Sequence, residues 1–315
     1  MNITCRRFNG REDYFRLRKF IEESISESGS KFYFNINSLE FGIDHKENKS
    51  YIEAISEDLH DSSFLLFEGD KLMGGAMIYE RNQLFINQKN KHRFSEMFKA
   101  LEEEVNKCIR DGSVDLGISS FSESSWRPFD GDVNIEKVLI ENGYYRTEEY
   151  WVLRDYYNKY PISEPELPKG YYIKSLCDIL DISKVIEIYN DCLGMEFDEV
   201  SLRKARESYA HRDELDIVVM SPENSPVALC SGRYDEKNKM ASFEAVACIK
   251  EHRRKGISKE MMLYALKKAK NLGATVSTVL TLCPEQFPAP NKLYESAGFT
   301  LVGNRHTWEK LKNNK

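Results

Sequence analysis

Apolar and polar positions follow two rhythms along this chain, one of period two and one of period three to four, and the rhythms take turns. Phe64–Phe67 and Leu72–Tyr79, separated by Glu68-Gly69-Asp70, read as a hairpin, and Ile217–Met220 with Val227–Arg233, around a Pro-containing turn, read as another. Phe94, Met97, Leu101, Val105 and Cys108 mark the inner face of a helix that Gly112 stops. Met262, Leu266 and Ala269 do the same for a helix that Gly273 stops, with Lys259, Lys267, Lys268 and Lys270 turned outward. Each helix leads into an apolar strand, Val114–Ile118 or Val276–Leu282. Ile3–Arg7 followed by helical Arg11–Glu23 is echoed by Tyr172–Leu176 followed by Ile182–Asp191. The last helices, Lys137–Tyr144 and Lys292–Phe299, carry Gly143 and Gly298 about one domain length apart. The predicted class is α/β: mixed, twisted sheets flanked by helices, with one order of elements occurring twice.

A chain of 315 residues exceeds one ordinary domain. Tyr156–Lys169 contains Pro161, Pro165 and Pro168 in a polar context and reads as a linker. The expected division is a first domain over 1–157, a linker over 158–169 and a second domain over 170–315. Tandem duplication is the favoured reading; chance likeness of two α/β halves is the plainer one.

Composition narrows the function. A hydrophobic share of 41 % is enough for filled cores. A net charge of −6 speaks against general nucleic-acid binding. The seven cysteines are scattered without a Cys-x-x-Cys pair, as reduced thiols of a cytoplasmic protein are. The six histidines form no ligand pair, so no metal is expected. No apolar run approaches the roughly 20 residues of a membrane span, and no apolar signal core follows Met1.

One stretch concentrates chemistry. Strand-like Phe243–Ile249 is followed by Arg253-Arg254-Lys255-Gly256-Ile257-Ser258 at the opening of an amphipathic helix. Unpaired amides and the positive end of a helix dipole converge at such a turn and make an anion site. Gly256 permits close approach of a phosphate, Ser258 is too small to block it, and Arg253, Arg254, Lys255 and Lys259 add positive charge. An ordinary strand-to-helix turn with a solvated basic start is the plainer reading.

The pattern Arg253-x-x-Gly256-x-Ser258 resembles the signature of the GNAT acetyltransferases, with Ser258 in place of the last small residue. Downstream, Asn291, Leu293, Tyr294, Gly298 and Phe299 resemble the family's second signature, a short helix with a Tyr that ends in Gly-Phe. The resemblance runs from about Tyr171 to the C-terminus. It implies acetyl-CoA as donor, its pyrophosphate held by the amides of Arg254, Lys255, Gly256, Ile257 and Ser258 with Arg253 and Lys259 nearby. It also implies a bulge in the preceding strand, with amides around Val246, Ala247 and Cys248 holding the acetyl carbonyl and pantetheine arm. The two-domain arrangement is similar to that of GNAT proteins that include the mycothiol synthases, in which one half is catalytically silent.

An amine with a pKa near 10 needs a base at neutral pH. Strict alternation puts Ser242, Glu244 and Val246 on one face, which makes Glu244 the candidate base; family members that use this strand sometimes have the base at the position of Ser242. Tyr294 stands where the family has its general acid toward the leaving thiolate, and the plain alternative is a core aromatic with its hydroxyl tied to backbone. Asn291 either caps the short helix or contacts pantetheine. At Phe287 many relatives carry an Asn, so one contact to the thioester arm is either missing or supplied otherwise. Cys248 and Cys283 lack a nearby His or Asp and read as buried thiols.

The first half departs from this chemistry. It has Lys91-His92-Arg93-Phe94-Ser95-Glu96 without a glycine, and Leu139 and Ile140 where the second half has Tyr294 and Glu295. It is expected to be a degenerate copy without an acetyl-CoA site. For the acceptor, the resemblance points to Cys192–Ser201, whose Met195, Glu196, Phe197, Asp198 and Glu199 either line a pocket for a cationic amine or form a solvated loop and helix start. Trp126 and Trp151 are core residues by default. The leading expectation is acetyl transfer to a primary amine of a small molecule, by a monomer or homodimer. Acetylation of protein Lys or N-termini, and a non-catalytic acyl-CoA-binding module, are the alternatives.

Overall fold

The computed structural model describes residues 2–32, 34–40, 51–78, 83–159 and 161–310. The chain forms two units, one from Met1–Asn35, Ile52–Val152 and Gly303–Lys315, the other from Ile36–Tyr51 and Leu153–Val302.

In the first unit β1 (Ile3–Arg7) leads into α1 (Gly10–Ser28). After α2 (Ile36–Glu40), which falls in the second unit, come α3 (Tyr51–Ser62), β2 (Ser63–Glu68), β3 (Lys71–Met77) and β4 (Gln83–Ile86). Then follow α4 (Phe94–Asp111), α5 (Val133–Glu141) and the long β5 (Tyr144–Tyr157). Strands β1 to β4 make an antiparallel sheet in sequence order. The hairpin forms as its alternation predicts, with Glu68 opposite Lys71; Tyr79 lies outside the described residues. Helix α4 buries Phe94, Met97, Leu101, Val105 and Cys108 and ends on left-handed Gly112. The expected strand Val114–Ile118 does not form. Asp115 instead accepts the Gly117 amide at 3.0 Å, a local bond that competes with a ladder, while Val114 and Ile118 still pack on the core. Trp126 is fully buried in that core and bridges Trp308.

The second unit continues with β6 (Tyr172–Ser175), α6 (Ser183–Leu193), α7 (Glu199–Ala205), β7 (Ile217–Met220), β8 (Pro226–Asp235) and β9 (Met240–Cys248). It closes with α8 (Ile257–Asn271), β10 (Val276–Leu282), α9 (Pro288–Ser296) and the start of β11 (Thr300–Lys310). The strand order is β11-β5-β10-β9-β8-β7-β6. Strands β6 to β9 pair antiparallel, and β9 pairs parallel with β10. One face of the sheet packs Phe243, Cys248 and Val279 with Met262, Leu266 and Tyr294; the other packs Leu229, Ala245 and Ala247 with Ile188, Tyr189 and Leu202.

The boundaries expected at 157 and 169 do not coincide with this division. Leu153–Tyr157 lies in the second unit, as the stretch of β5 between β10 and β11, and Gly303–Lys315 returns to the first. The proline-rich segment is not a free linker either. Ile162 and Leu167 pack on the second unit's core, Asn158 donates to Ala274 O at 2.8 Å, and the Glu166 amide donates to Glu260 at 2.9 Å. Apolar burial outweighs what the prolines signal; Tyr160 of this segment lies outside the described residues. Among the described residues no helix is long and apolar enough to cross a membrane, and no group of three or more His, Cys, Asp or Glu is placed to hold a metal ion.

Candidate active site

The register between β8 and β9 breaks once. Gly232 pairs with Phe243 but Ser231 pairs with Ala245, so Glu244 is an extra residue in a bulge. The expected grouping of Ser242, Glu244 and Val246 on one face is therefore overturned. Before the bulge, Ala241 and Phe243 face the core under α8; after it, Val246 and Cys248 do, because one inserted residue reverses the parity of every side chain beyond it. Glu244 itself is exposed. The bulge implied by family resemblance is present, two residues earlier than Val246.

At the same level β9 leaves β10. Their parallel ladder ends with the pair Val279 and Phe243, although β9 runs on to Cys248 and β10 to Leu282. Val246, Ala247 and Cys248 thus lie on the stretch of β9 that has parted from β10, and their other edge remains paired to Cys230, Leu229 and Ala228.

Beyond the splay the chain makes a short 3-10 turn, Lys250–His252, and enters α8 through Gly256. Arg253 Nε donates to Cys248 O at 2.8 Å and so closes the turn onto the end of β9. Arg254 (φ 64) and Gly256 (φ 83) are both left-handed, so the chain turns sharply just before α8. For Arg254 this costs about 1–2 kcal/mol of backbone strain. Among the described residues the amides of Arg254, Lys255, Gly256, Ile257 and Ser258 have no acceptor. A Cβ on Gly256 would meet nothing within 4 Å, so the turn is open. Arg253, Arg254, Lys255 and Lys259 are exposed around it, and Lys255 reaches the Tyr171 hydroxyl at 3.3 Å. A cleft of about 410 Å³ adjoins this end of α8, with Lys259, Glu260 and Leu263 on one wall and Ser296, Ala297 and Gly298 on another.

Tyr294 comes from α9. Its side chain is buried and packs edge-on against Phe299 at 5.7 Å. Among the described residues its hydroxyl makes no hydrogen bond, and it is not one of the enclosed polar atoms left unpartnered. The alternative of a hydroxyl tied to backbone is thereby removed. Burial pushes its ionisation upward; the charges of Cys230 and Glu244 add to this, and the Arg154 guanidinium opposes them. The phenol is thus held protonated, with the candidate base within electrostatic reach.

Asn291 does not cap α9, which begins at Pro288 with Phe287 as its cap residue. It is buried inside the helix. Its Nδ2 donates to Leu282 O at 2.8 Å and Phe287 O at 2.7 Å, tying α9 to the end of β10, and its Oδ1 accepts from Arg154 Nη1 at 2.7 Å. Sequence reading missed Arg154. It sits on β5, a strand assigned to the other half, and no local pattern marks a strand inserted between β10 and β11. Ser258, by contrast, is placed against the Cys248 thiol, which burial pushes up and that contact partly offsets.

The possible acceptor loop is largely structural. Asn190 clamps both the amide and the carbonyl of Phe197 at 2.9 Å, and Phe197 is buried against Tyr189. Asp198 caps α7 through the Ser201 amide at 2.7 Å, and Glu199 pairs with Arg203 at 2.7 Å. Cys230, Cys248 and Cys283 are buried thiols.

Residues 182–299 match the model of the acetyltransferase (GNAT) family. The fold is similar to that of a GCN5-related N-acetyltransferase from Sphaerobacter thermophilus, with TM-score 0.63, 14 % identity, and 97 % of this chain and 94 % of that one covered. It is also similar to a tandem GNAT protein from the clavulanic acid biosynthesis pathway, with TM-score 0.58, 9 % identity, and 98 % and 97 % covered. A GNAT-family acetyltransferase from Colwellia psychrerythraea gives TM-score 0.53, 11 % identity, and 92 % and 97 % covered. At such identities the likeness is one of fold. No curated protein matches the sequence.

Proposed function

We propose that the second unit, whose residues 182–299 belong to the acetyltransferase (GNAT) family, transfers the acetyl group of acetyl-CoA to a primary amine of a small molecule by direct attack. The observation that carries this reading is the splay of β9 from β10 beyond Phe243, on the strand that leads into the open turn at Gly256. The five free amides of the turn and the start of α8 hold the pyrophosphate. The parted stretch Val246–Cys248 orients the thioester arm through backbone amides. Lys259 lines the adjoining cleft, and its charge meets the nucleotide end of the coenzyme.

Glu244, exposed on the bulge, takes the proton of the attacking amine, directly or through water. Tyr294 gives its proton to the sulfur as the carbon–sulfur bond breaks. The products are the acetamide and the free thiol. The first unit takes no coenzyme. At the start of α4 the Phe94 amide is already bonded to Lys91 O, and Arg93 fills the turn with ion pairs to Glu68 at 2.6 Å and Glu96 at 2.7 Å.

The test is release of free thiol from acetyl-CoA in the presence of a panel of small amines and Lys-containing peptides. Turnover with a small amine supports the reading. Turnover confined to peptides replaces the acceptor class, and tight coenzyme binding without any transfer replaces the enzyme with an acyl-CoA-binding module.

A further inference from the structure

Helix α9 presents Asn291, Tyr294 and Glu295 at i, i+3 and i+4, one stripe of a short helix. Arg154 holds the residues on either side of the tyrosine. Its Nη1 donates to Asn291 Oδ1 at 2.7 Å and its Nη2 to Glu295 Oε1 at 2.9 Å. The guanidinium is almost wholly buried, with 5 % of the side chain exposed, so its bond to buried Asn291 forms where water competes little, while the Glu295 carboxylate is exposed. Asn291 cannot turn away. Its amide hydrogens are committed to the carbonyls of Leu282 and Phe287, which leaves Oδ1 as the acceptor that Arg154 completes. The backbone of Arg154 is fixed in turn, its carbonyl accepting from Thr278 Oγ1 of β10 at 3.3 Å.

We propose that Arg154 is a positioning residue of the acyl-transfer site: it bridges Asn291 and Glu295 and so locks the rotation of α9 that sets the place of the Tyr294 hydroxyl. This deepens the acetyltransferase reading and rests on it. The hydroxyl itself has no hydrogen bond among the described residues to hold it, so its place depends on the helix that carries it. A planar guanidinium with its donors in a fixed fork spans two acceptors one helical turn apart; an ammonium does not. Arg154 also precedes the proline-rich segment in sequence, so this part of the second unit's site comes from a strand outside the span 182–299 matched by the family model.

The experiment uses the full chain, with acetyl-CoA and the best small amine found, in wild type and in Arg154→Met, Arg154→Lys, Glu295→Gln, Tyr294→Phe and the double variant Arg154→Met/Tyr294→Phe. Arg154→Met is expected to lower kcat about 10–100-fold while the KM for acetyl-CoA moves less than about twofold. Arg154→Lys recovers part of the loss, and Glu295→Gln, at an exposed partner that leaves folding intact, loses kcat by a few fold. In the Tyr294→Phe background Arg154→Met should cost under about twofold, because the group it positions is gone. An equal loss in both backgrounds, or a shift in KM alone, overturns the proposal. If Arg154→Met does not fold, Glu295→Gln with and without Tyr294→Phe completes the same cycle. In an active wild type, an unaffected Arg154→Met overturns the proposal and leaves the transfer reading standing; a wild type that acetylates no amine overturns that reading and removes the proposal's premise.

Discussion

Ser231 on β8 pairs with Ala245 on β9, one residue beyond the partner that the Gly232–Phe243 pair would give it, and the residue squeezed out is Glu244. A carboxylate on a bulge escapes the ladder, at the level where β9 parts from β10. Glu244→Gln should lower kcat about 10²–10³-fold with little change in the KM for acetyl-CoA, the range typical of a lost general base. Steady-state kinetics with the best amine checks this. Full activity in the variant would move the base elsewhere without touching the fold.

Tyr294→Phe should lower kcat about 10²-fold or more. Because the hydroxyl makes no hydrogen bond among the described residues, the variant should unfold within about 1 kcal/mol of wild type. Burial raises the folded-state ionisation above the ordinary value near 10, so the buried phenol's contribution to stability is complete below pH 10 and is lost as pH rises past it. Denaturation at pH 9 and at pH 11 in both proteins should show a smaller alkaline loss in Tyr294→Phe.

Gly256→Val should fold at a cost of about 1–2 kcal/mol, since only the left-handed backbone is strained and the new side chain meets open space. In the proposed reading that same space admits the pyrophosphate. Calorimetry should find the Kd for coenzyme A raised at least about tenfold. Unchanged affinity would place the anion site away from this turn.

Calorimetric titration of the full chain should give one coenzyme per polypeptide. The start of α4, already filled by the ion pairs of Arg93, offers no second open turn. A stoichiometry of two would make the first unit a functional copy.

Exposed Cys177 should react with iodoacetamide at pH 8, whereas Cys230 and Cys248 should remain unmodified in the folded protein. Burial pushes both thiols up, so less thiolate is present than in a free thiol, and their labelling should rise only at more alkaline pH or on unfolding. Peptide mass spectrometry after labelling reads this directly.

Much of the architecture was visible locally. The two hairpins, the buried faces of α4 and α8, and their ends near Gly112 and Gly273 follow from periodicity and glycine alone, because those signals depend on neighbours within a few residues. The helix start at Gly256 was readable for the same reason: a glycine just before an amphipathic run marks where the chain turns into a helix. Val114–Ile118 misled because an apolar run satisfies a core as well without a ladder as with one.

The sequence by itself determined the class of fold, much of the repeated order of elements and the helix start at Gly256, since each is written in short-range spacing. Only the tertiary structure decided that Glu244 is a bulge residue, that Val246 shares a face with Phe243, and that β5 enters the second unit and brings Arg154 to Asn291. Those outcomes are set by which strands pair and in what register, between segments more than a hundred residues apart in the case of Arg154. No periodicity within a window of the chain carries that information, because pairing energy depends on both partners at once.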